Sequence, residues 1–351
     1  MKKKFSIHDI ARELEVSATT ISFVLNGGAQ SKKVSDPVTK KILDYVNNIG
    51  YKPNLVARSL RTGKSRIIGM LVEDISDPFF SSIGRIIEDN LYEHGYKIFH
   101  SSTDNNPVRS KDLLRIFRER QVDGYIIAPS PGIESEIQHI LNDARPVILF
   151  DRFFPGLDTT NVIINNAGGT YDGTMHLIMN GFTSIAFVTL DSDQIQMSDR
   201  MKGYNLAMTE NNLLSTIQKI KYIEYKTAPG KIAIRIKEFL TSNDSVDAIL
   251  FATNYLAICG LQAIRELGLR VPYDIGVVGF DDNTHFSLFT PTITAVAQPV
   301  EEMSKKVIEQ LMLCMTDENK KTMNETIVLP TKLMIRESSL STVALTMKKQ
   351  I

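Results

Sequence analysis

Hydrophobic and polar positions change period near residue 66. Before that point apolar residues recur at helical spacing: Ile7, Ile10, Ala11 and Leu14; then Ile21, Val24 and Leu25; then Val38, Ile42, Tyr45, Val46 and Ile49. The spacing predicts three short helices. Ser6 with Asp9 three residues on forms a capping signature for the first, and Ser17 is a good N-cap for the second. Asn26-Gly27-Gly28 stops the second helix, and Asp36-Pro37, a cap followed by proline, opens the third. A seven-residue stretch, 54–60, follows Pro53 and has Asn54 as a cap, but isolated helices in water are marginal even at about 12–15 residues. It is expected to fold only when something holds it.

Beyond residue 66 the pattern becomes an alternation of apolar runs and helical stretches. Candidate strands lie at 67–72, 96–102, 125–130 and 147–151, and a second set starts near Val162, with strands at 185–190, 221–225, 248–253 and 275–281. Near-continuous apolar strands separated by helices indicate parallel sheets covered on both faces. The predicted class is α/β: a small three-helix head, then two lobes, each a doubly wound parallel sheet, facing one cleft.

Length and charge sharpen this picture. At 351 residues the chain exceeds one ordinary domain. Residues 1–66 hold 13 Lys and Arg against 5 Asp and Glu, a net +8, and the remaining 27 and 35 give −8. A basic head on an acidic body expects only the head to meet phosphate, and two short helices across a tight turn, braced by a third, form the helix-turn-helix DNA reader. The start lacks an apolar run behind its lysines, and no stretch approaches the roughly 18 apolar residues of a membrane span, so the expectation is a cytoplasmic protein with no membrane contact. Cys259 and Cys314 stand apart and read as buried free thiols.

Taken together, IHDIARELEVSATTIS, VLNG, IGYKPN, ARSLRTGKSRIIG and DISDPFF resemble the N-terminal part of the lactose-repressor/galactose-repressor (LacI/GalR) family of bacterial transcription regulators, and the remaining chain matches as well. The resemblance implies a helix-turn-helix domain over 1–52, a hinge helix and linker over 53–65, and a periplasmic-binding-protein-like core over 66–340. Within the core it implies a first lobe of 66–164 and 293–328 and a second of 165–292 and 329–340, with chain crossings near Asn165, Thr292 and Leu329. The tail, 341–351, has no heptad repeat, so a homodimer is expected rather than a zippered tetramer. The implied partners are double-stranded operator DNA and a small-molecule effector, a sugar or sugar phosphate, with no cofactor.

On DNA the resemblance places Ser6, Ser17, Ala18, Thr19, Thr20, Phe23, Asn26 and Tyr51 in the head, and Asn54, Ala57, Arg58 and Leu60 in the hinge. Leu60 matches the leucine that wedges into the minor groove. Relatives often carry arginine where Phe23 stands; phenylalanine cannot make the bidentate guanine contact, and either covers a thymine methyl or packs, so the operator cannot be copied from relatives.

The effector residues are expected where strands end. Asp77, Phe79 and Phe80 follow the first strand, and Asp151 and Arg152 the fourth; Arg200 opens a second-lobe helix; Asn254 and Asp281 end second-lobe strands; Gln298 lies on a crossing segment. Carboxylates and amides that accept from vicinal hydroxyls, an arginine fork and an aromatic face suit a sugar. Taken singly, an Asp or Asn at a strand end is usually a cap or turn residue. Asn254 is followed by Tyr255 where many relatives have aspartate, which leaves the ligand's identity open. A nucleobase stacked on Phe80 is the alternative effector, and a periplasmic sugar-binding protein a third reading, for which the sequence lacks a secretory signal and carries an unneeded DNA-reading head. No G-x-S-x-G, Walker or G-x-G-x-x-G motif stands at a strand–helix junction, and the six histidines are scattered, so no enzymatic chemistry and no metal site are expected.

Overall fold

The computed structural model describes residues 5–25, 27–51, 62–213, 219–316 and 324–340. The expected hinge over 54–60 and the tail over 341–351 lie outside the described residues, as does Asn26. The chain divides into two compact units, Met1–Arg66 and Ile67–Ile351.

The first unit contains α1 (Ile7–Leu14), α2 (Ala18–Leu25) and α3 (Asp36–Ile49). A reciprocal capping box starts α1: the Asp9 amide donates to Ser6 Oγ at 3.2 Å, and the Ser6 amide to Asp9 Oδ2 at 2.9 Å. Glu15 ends it in the left-handed conformation (φ 57°). Ser17 Oγ accepts from the Thr20 amide at 3.0 Å and so caps α2. The cap residue of α3 is Ser35, one position earlier than expected, with Asp36 and Pro37 already in the first turn. Ile10, Leu14, Ile21, Val24, Ile42 and Val46 form the core, one face from each helix.

In the second unit the first sheet contains β1 (Ile67–Val72), β2 (Lys97–Ser102), β3 (Gly124–Ile127), β4 (Val147–Phe150) and β5 (Thr160–Ile164). The helices between them are α4 (Pro78–Glu93), α5 (Pro107–Glu119) and α6 (Glu134–Asn142). The second sheet contains β6 (Ile185–Asp191), β7 (Ile220–Glu224), β8 (Ala248–Phe251), β9 (Gly276–Phe280) and β10 (Thr294–Ala297). It carries α7 (Asn166–Met179), α8 (Ile195–Glu210), α9 (Pro229–Thr241) and α10 (Asn254–Glu266). After α11 (Val300–Thr316), β11 (Thr326–Leu329) joins the first sheet and β12 (Lys332–Met334) the second.

Strand order is β11-β5-β4-β3-β1-β2 in one sheet and β12-β10-β9-β8-β6-β7 in the other. All recorded pairings are parallel except β10 with β12. Each sheet therefore repeats the 2-1-3-4-5 winding, whose ligand crevice lies at the carboxyl ends of the strands. Strands β3, β4, β8 and β9 are buried throughout, as expected of parallel sheets with helices on both faces.

The chain passes between the sheets after Ile164, after Ala297 and between Leu329 and Lys332. The second passage was expected near Thr292. Instead Thr294–Ala297 pairs with β9 in the second sheet, so the second lobe keeps residues 293–297 and the crossing begins at Gln298. The apolar run TAVA has no feature that assigns it to one sheet; only its register against β9 does so. As α11 returns, Met303, Val307, Leu311 and Cys314 pack into the first-lobe core with Ile68, Ile126 and Phe150.

Candidate functional site

At the carboxyl end of β1, Glu73 is followed by Asp77, whose side chain accepts from the Phe79 amide at 2.8 Å and caps α4. Cap geometry is the bland role expected of such an aspartate, yet Asp77 also takes a hydrogen bond from the Asn254 side chain of the other lobe. Its carboxyl is pushed up to about 6, first by burial and then by Asp281 nearby. Phe79 is half-buried, whereas Phe80 is 7% exposed and meets Phe150 edge-on at 6.2 Å between centroids. Phe80 thus belongs to the first-lobe core, because the helical turn from Phe79 to Phe80 rotates one ring inward.

Asp151 follows β4 in the left-handed conformation (φ 66°) and is buried. Arg152 beside it is 3% exposed; its Nη2 donates to Glu73 Oε2 at 2.7 Å, and its Nε stands 3.3 Å from Asp151 Oδ2. Burial pushes the Asp151 carboxyl up to about 6, against the opposing pull of Arg152 and Arg200. Arg152 Nη1 is buried without a hydrogen-bond partner among the described residues.

The second lobe supplies the complement. Arg200 does not open its helix, as expected from sequence; α8 begins at Ile195, which places Arg200 well inside it. Its Nε donates to Asn166 Oδ1 at 2.8 Å and its Nη1 to the Ala252 carbonyl at 2.6 Å. The guanidinium lies 3.7 Å from the Phe280 ring centroid, and Nη1 is 3.6 Å from Asp281 Oδ2. Gly203 makes this reach possible: a Cβ there would fall 2.0 Å from the Ala167 carbonyl oxygen, so only glycine lets α8 lie so close to α7. Asp281 is also left-handed (φ 64°) and accepts from Gln298 Nε2 at 2.5 Å. Gln298 Oε1 is buried and unpartnered among the described residues. Asn254 is buried in the first turn of α10, behind the capping Thr253.

Three participants escaped the sequence reading. Glu73 stands one residue past the apolar run of β1, the signal that selected Asp151, yet the DISDPFF motif drew attention to Asp77. Asn166 was hidden as the start of a helix. Tyr225 closes the seam: its hydroxyl hydrogen-bonds Glu73 of the opposite lobe, and burial followed by that carboxylate raises its pKa. Tyr255 is half-buried near the same carboxylate, with its pKa raised first by burial.

In the head, Thr19 and Ser17 are exposed, Ala18, Thr20 and Phe23 half-buried, while Ile21 and Val24 face inward. The Lys32 ammonium lies 5.6 Å from the Phe23 ring centroid. The Ser6 side chain is engaged in the capping box, and Tyr51 packs against the head core. Asn54, Ala57, Arg58 and Leu60 lie outside the described residues, like Asn26. Among the described residues no group of three metal-ligating side chains occurs, and no helix is long and apolar enough to cross a membrane. Cys259 and Cys314 are both buried, and neither is in a disulfide.

Comparison with known proteins agrees with both units. Residues 6–54 match the family model described as bacterial regulatory proteins, lacI family, and residues 174–339 a periplasmic binding protein-like domain. The HTH-type transcriptional regulator RegA of Clostridium saccharobutylicum is 35% identical over 341 residues, 95% of this chain and 99% of RegA. Among solved structures, the lac repressor dimer bound to operator and the anti-inducer ONPF matches with a TM-score of 0.83 at 22% identity, over 97% of this chain and 100% of that one, a likeness of fold. A LacI family transcriptional regulator from Enterococcus faecium with bound ribose matches with a TM-score of 0.69 at 25% identity, over 78% of this chain and 98% of that one.

Proposed function

Since the chain belongs to the lacI family of bacterial regulatory proteins, and is thereby a ligand-responsive, DNA-binding transcriptional regulator rather than an enzyme, we propose that it represses carbohydrate genes as a homodimer on a palindromic operator and that its effector is an uncharged sugar. The observation that carries the effector class is the charge of the cleft. Glu73, Asp77, Asp151 and Asp281 face Arg152 and Arg200, so acidic groups outnumber basic ones. An added phosphate would meet net negative charge, which argues for a neutral polyol over a sugar phosphate. Hydroxyls can both accept from Arg152 Nη1 and donate to Gln298 Oε1, two buried polar atoms without partners among the described residues. A nucleobase is disfavoured because Phe80 is spent in the core.

The dimer reading rests on symmetry: one helix-turn-helix reads one half-site, and a palindrome requires two. DNA contacts are assigned to Ser17, Ala18, Thr19, Thr20 and Phe23, and, on the resemblance alone, to the hinge residues. Calorimetric titration of the full chain with neutral pentoses and hexoses, their phosphates and purine bases tests the effector class. Saturable binding is expected for a neutral sugar; tight binding confined to phosphates or purines refutes it. Light scattering showing a monomer or tetramer at micromolar concentration refutes the dimer.

A further inference from the structure

The first lobe has a second concave site, at the opposite end of its sheet from the cleft. A cavity of about 440 Å³ is lined by Arg115, Arg118, Glu119, Tyr125, Asp143 and Arg145, together with Gln121 and Val122. Val122 and Arg145 precede β3 and β4, whereas the cleft residues Glu73 and Asp151 follow β1 and β4. The thickness of the parallel sheet therefore separates the two. The volume lies within the range of roughly 300–1,000 Å³ usual for small-molecule pockets.

Its polar groups do not cancel. Arg118 Nη2 pairs with Asp143 Oδ2 at 2.9 Å. Arg115 is held by Glu119 at 3.2 Å and Asp112 at 3.4 Å. Both acids that line the cavity are thus occupied. Arg145 is half-buried, and its guanidinium has neither ion pair nor hydrogen bond among the described residues. Tyr125 is 1% exposed, and its hydroxyl, which lines the same space, likewise has no hydrogen-bond partner among them. The phenol sits under the positive potential of Arg145 and Arg118, and burial pushes its pKa up to about 12, so it stays a proton donor. Arg145, without an ion pair among the described residues, leaves the lining with three arginines against two carboxylates, and the Tyr125 hydroxyl adds a neutral donor. That set matches a tetrahedral oxyanion, which accepts at several oxygens and takes arginine bidentately.

We propose that this cavity binds the phosphate group of a phosphorylated ligand through Arg145 and Tyr125. The site is independent of the sugar cleft, which is acidic and at the other end of the strands. The cavity also lies next to the first residue of the second unit. The amide of Asp123, next to cavity residue Val122, donates to the carbonyl of Ile67 at 2.7 Å, and Ile67 is where the chain enters the core. Phosphate reaches such a site either as a free phosphomonoester or as part of a DNA backbone.

Equilibrium dialysis of the full chain against labelled orthophosphate tests the site. Saturable binding is expected in the parent. Arg145→Gln should weaken it roughly tenfold or more, as loss of a charge-assisted bond does, and Tyr125→Phe a few-fold. Asp281→Asn, which removes a cleft carboxylate, should leave it unchanged; tighter binding in that variant would mean that phosphate occupies the cleft and would overturn the proposal. Absence of saturable binding by the parent overturns it too, as does equal binding by both cavity variants with native circular dichroism. Two further arms identify the source. Ribose 5-phosphate that displaces orthophosphate, with the same Arg145 dependence, assigns a free phosphomonoester. A drop in non-operator duplex affinity in Arg145→Gln, with a salt slope smaller by about one, assigns the DNA backbone. If neither responds to Arg145→Gln, the proposal falls. Neutral sugar binding that is normal in the parent and in both cavity variants keeps this outcome separate from the effector reading.

Discussion

Asp151 and Asp281 occupy equivalent places in the two lobes. Each follows the fourth strand of a 2-1-3-4-5 sheet, each is left-handed, and each donates its backbone amide to the neighbouring fifth strand, Asp151 to Val162 at 3.1 Å and Asp281 to Val296 at 2.9 Å. Their surroundings then diverge. Asp281 is held by Gln298 and Arg200, an arginine fully engaged by Asn166, the Ala252 carbonyl and the Phe280 ring. Asp151 is more deeply buried, shares Arg152 with Glu73, and has its carboxyl raised to about 6. Asp77 in the same lobe is raised to a similar degree. One fold, used twice, makes a second lobe whose charges are satisfied internally and a first lobe whose carboxylates are left for hydroxyls to satisfy.

The largest effect expected from this contrast is in the second lobe. Arg200→Ala strands Asp281 and two buried acceptors, and loss of one partner of a buried pair costs about 3–5 kcal/mol. Urea unfolding that places the variant within 1 kcal/mol of the parent, on the order of an exposed pair, would erase the difference between the lobes. Next comes the pH dependence of the unliganded core. A carboxyl raised from 3.8 to about 6 contributes stability that is complete below pH 4 and disappears as pH rises through 6. Asp151→Asn should therefore be more stable than the parent at pH 7.5, by up to about 3 kcal/mol, and equal to it near pH 4. Parallel melting curves for the two proteins from pH 4 to 7.5 would refute the assignment.

Effector affinity should move the other way. Sugar hydroxyls donate to ionised carboxylates, so binding strengthens from pH 5 to pH 7, by about tenfold for each carboxylate titrating near 6, with protons released. Calorimetry in buffers of different ionisation enthalpy measures that release; a heat independent of buffer contradicts it. The smallest effect concerns the seam. Tyr225→Phe removes the hydroxyl that joins the second lobe to Glu73, a loss of about 0.5–1.5 kcal/mol, and should speed effector dissociation a few-fold without changing the melting of the head. Stopped-flow dissociation at the parental rate would show that the contact does not hold the lobes.

The head was legible because its information is local. Ser6 with Asp9, Ser17 with Thr20, and the inward stripe of Ile21 and Val24 are contacts within one turn, and they appear where the spacing puts them. The alternation of strands and helices was equally plain. What the sequence withheld is set by long-range approach. Arg200 reaches Asn166 only because Gly203 lets two helices nearly touch, and TAVA joins the second sheet only through its register with β9. Phe80 looked available until its helix turned it against Phe150. Glu73 meets Tyr225 at a separation of 152 positions in the chain, more than any local pattern spans.

The return of α11 to the first lobe sets a timetable for synthesis. Residues 67–164 leave the ribosome with most of their sheet ready, but part of the apolar cover over Ile68, Ile126 and Phe150, beside that from α4, belongs to residues 300–316. All of the second lobe except β12 and the segment after it emerges before them. The head, with its own small core of six buried side chains, needs nothing downstream. A nascent chain thus carries its DNA-reading module long before it carries a finished sensor, with an uncovered apolar sheet between the two. Translation that stops short of residue 300 leaves the first sheet exposed to chaperones and proteases, so an unfinished chain is marked for removal by the same helix that completes the finished one.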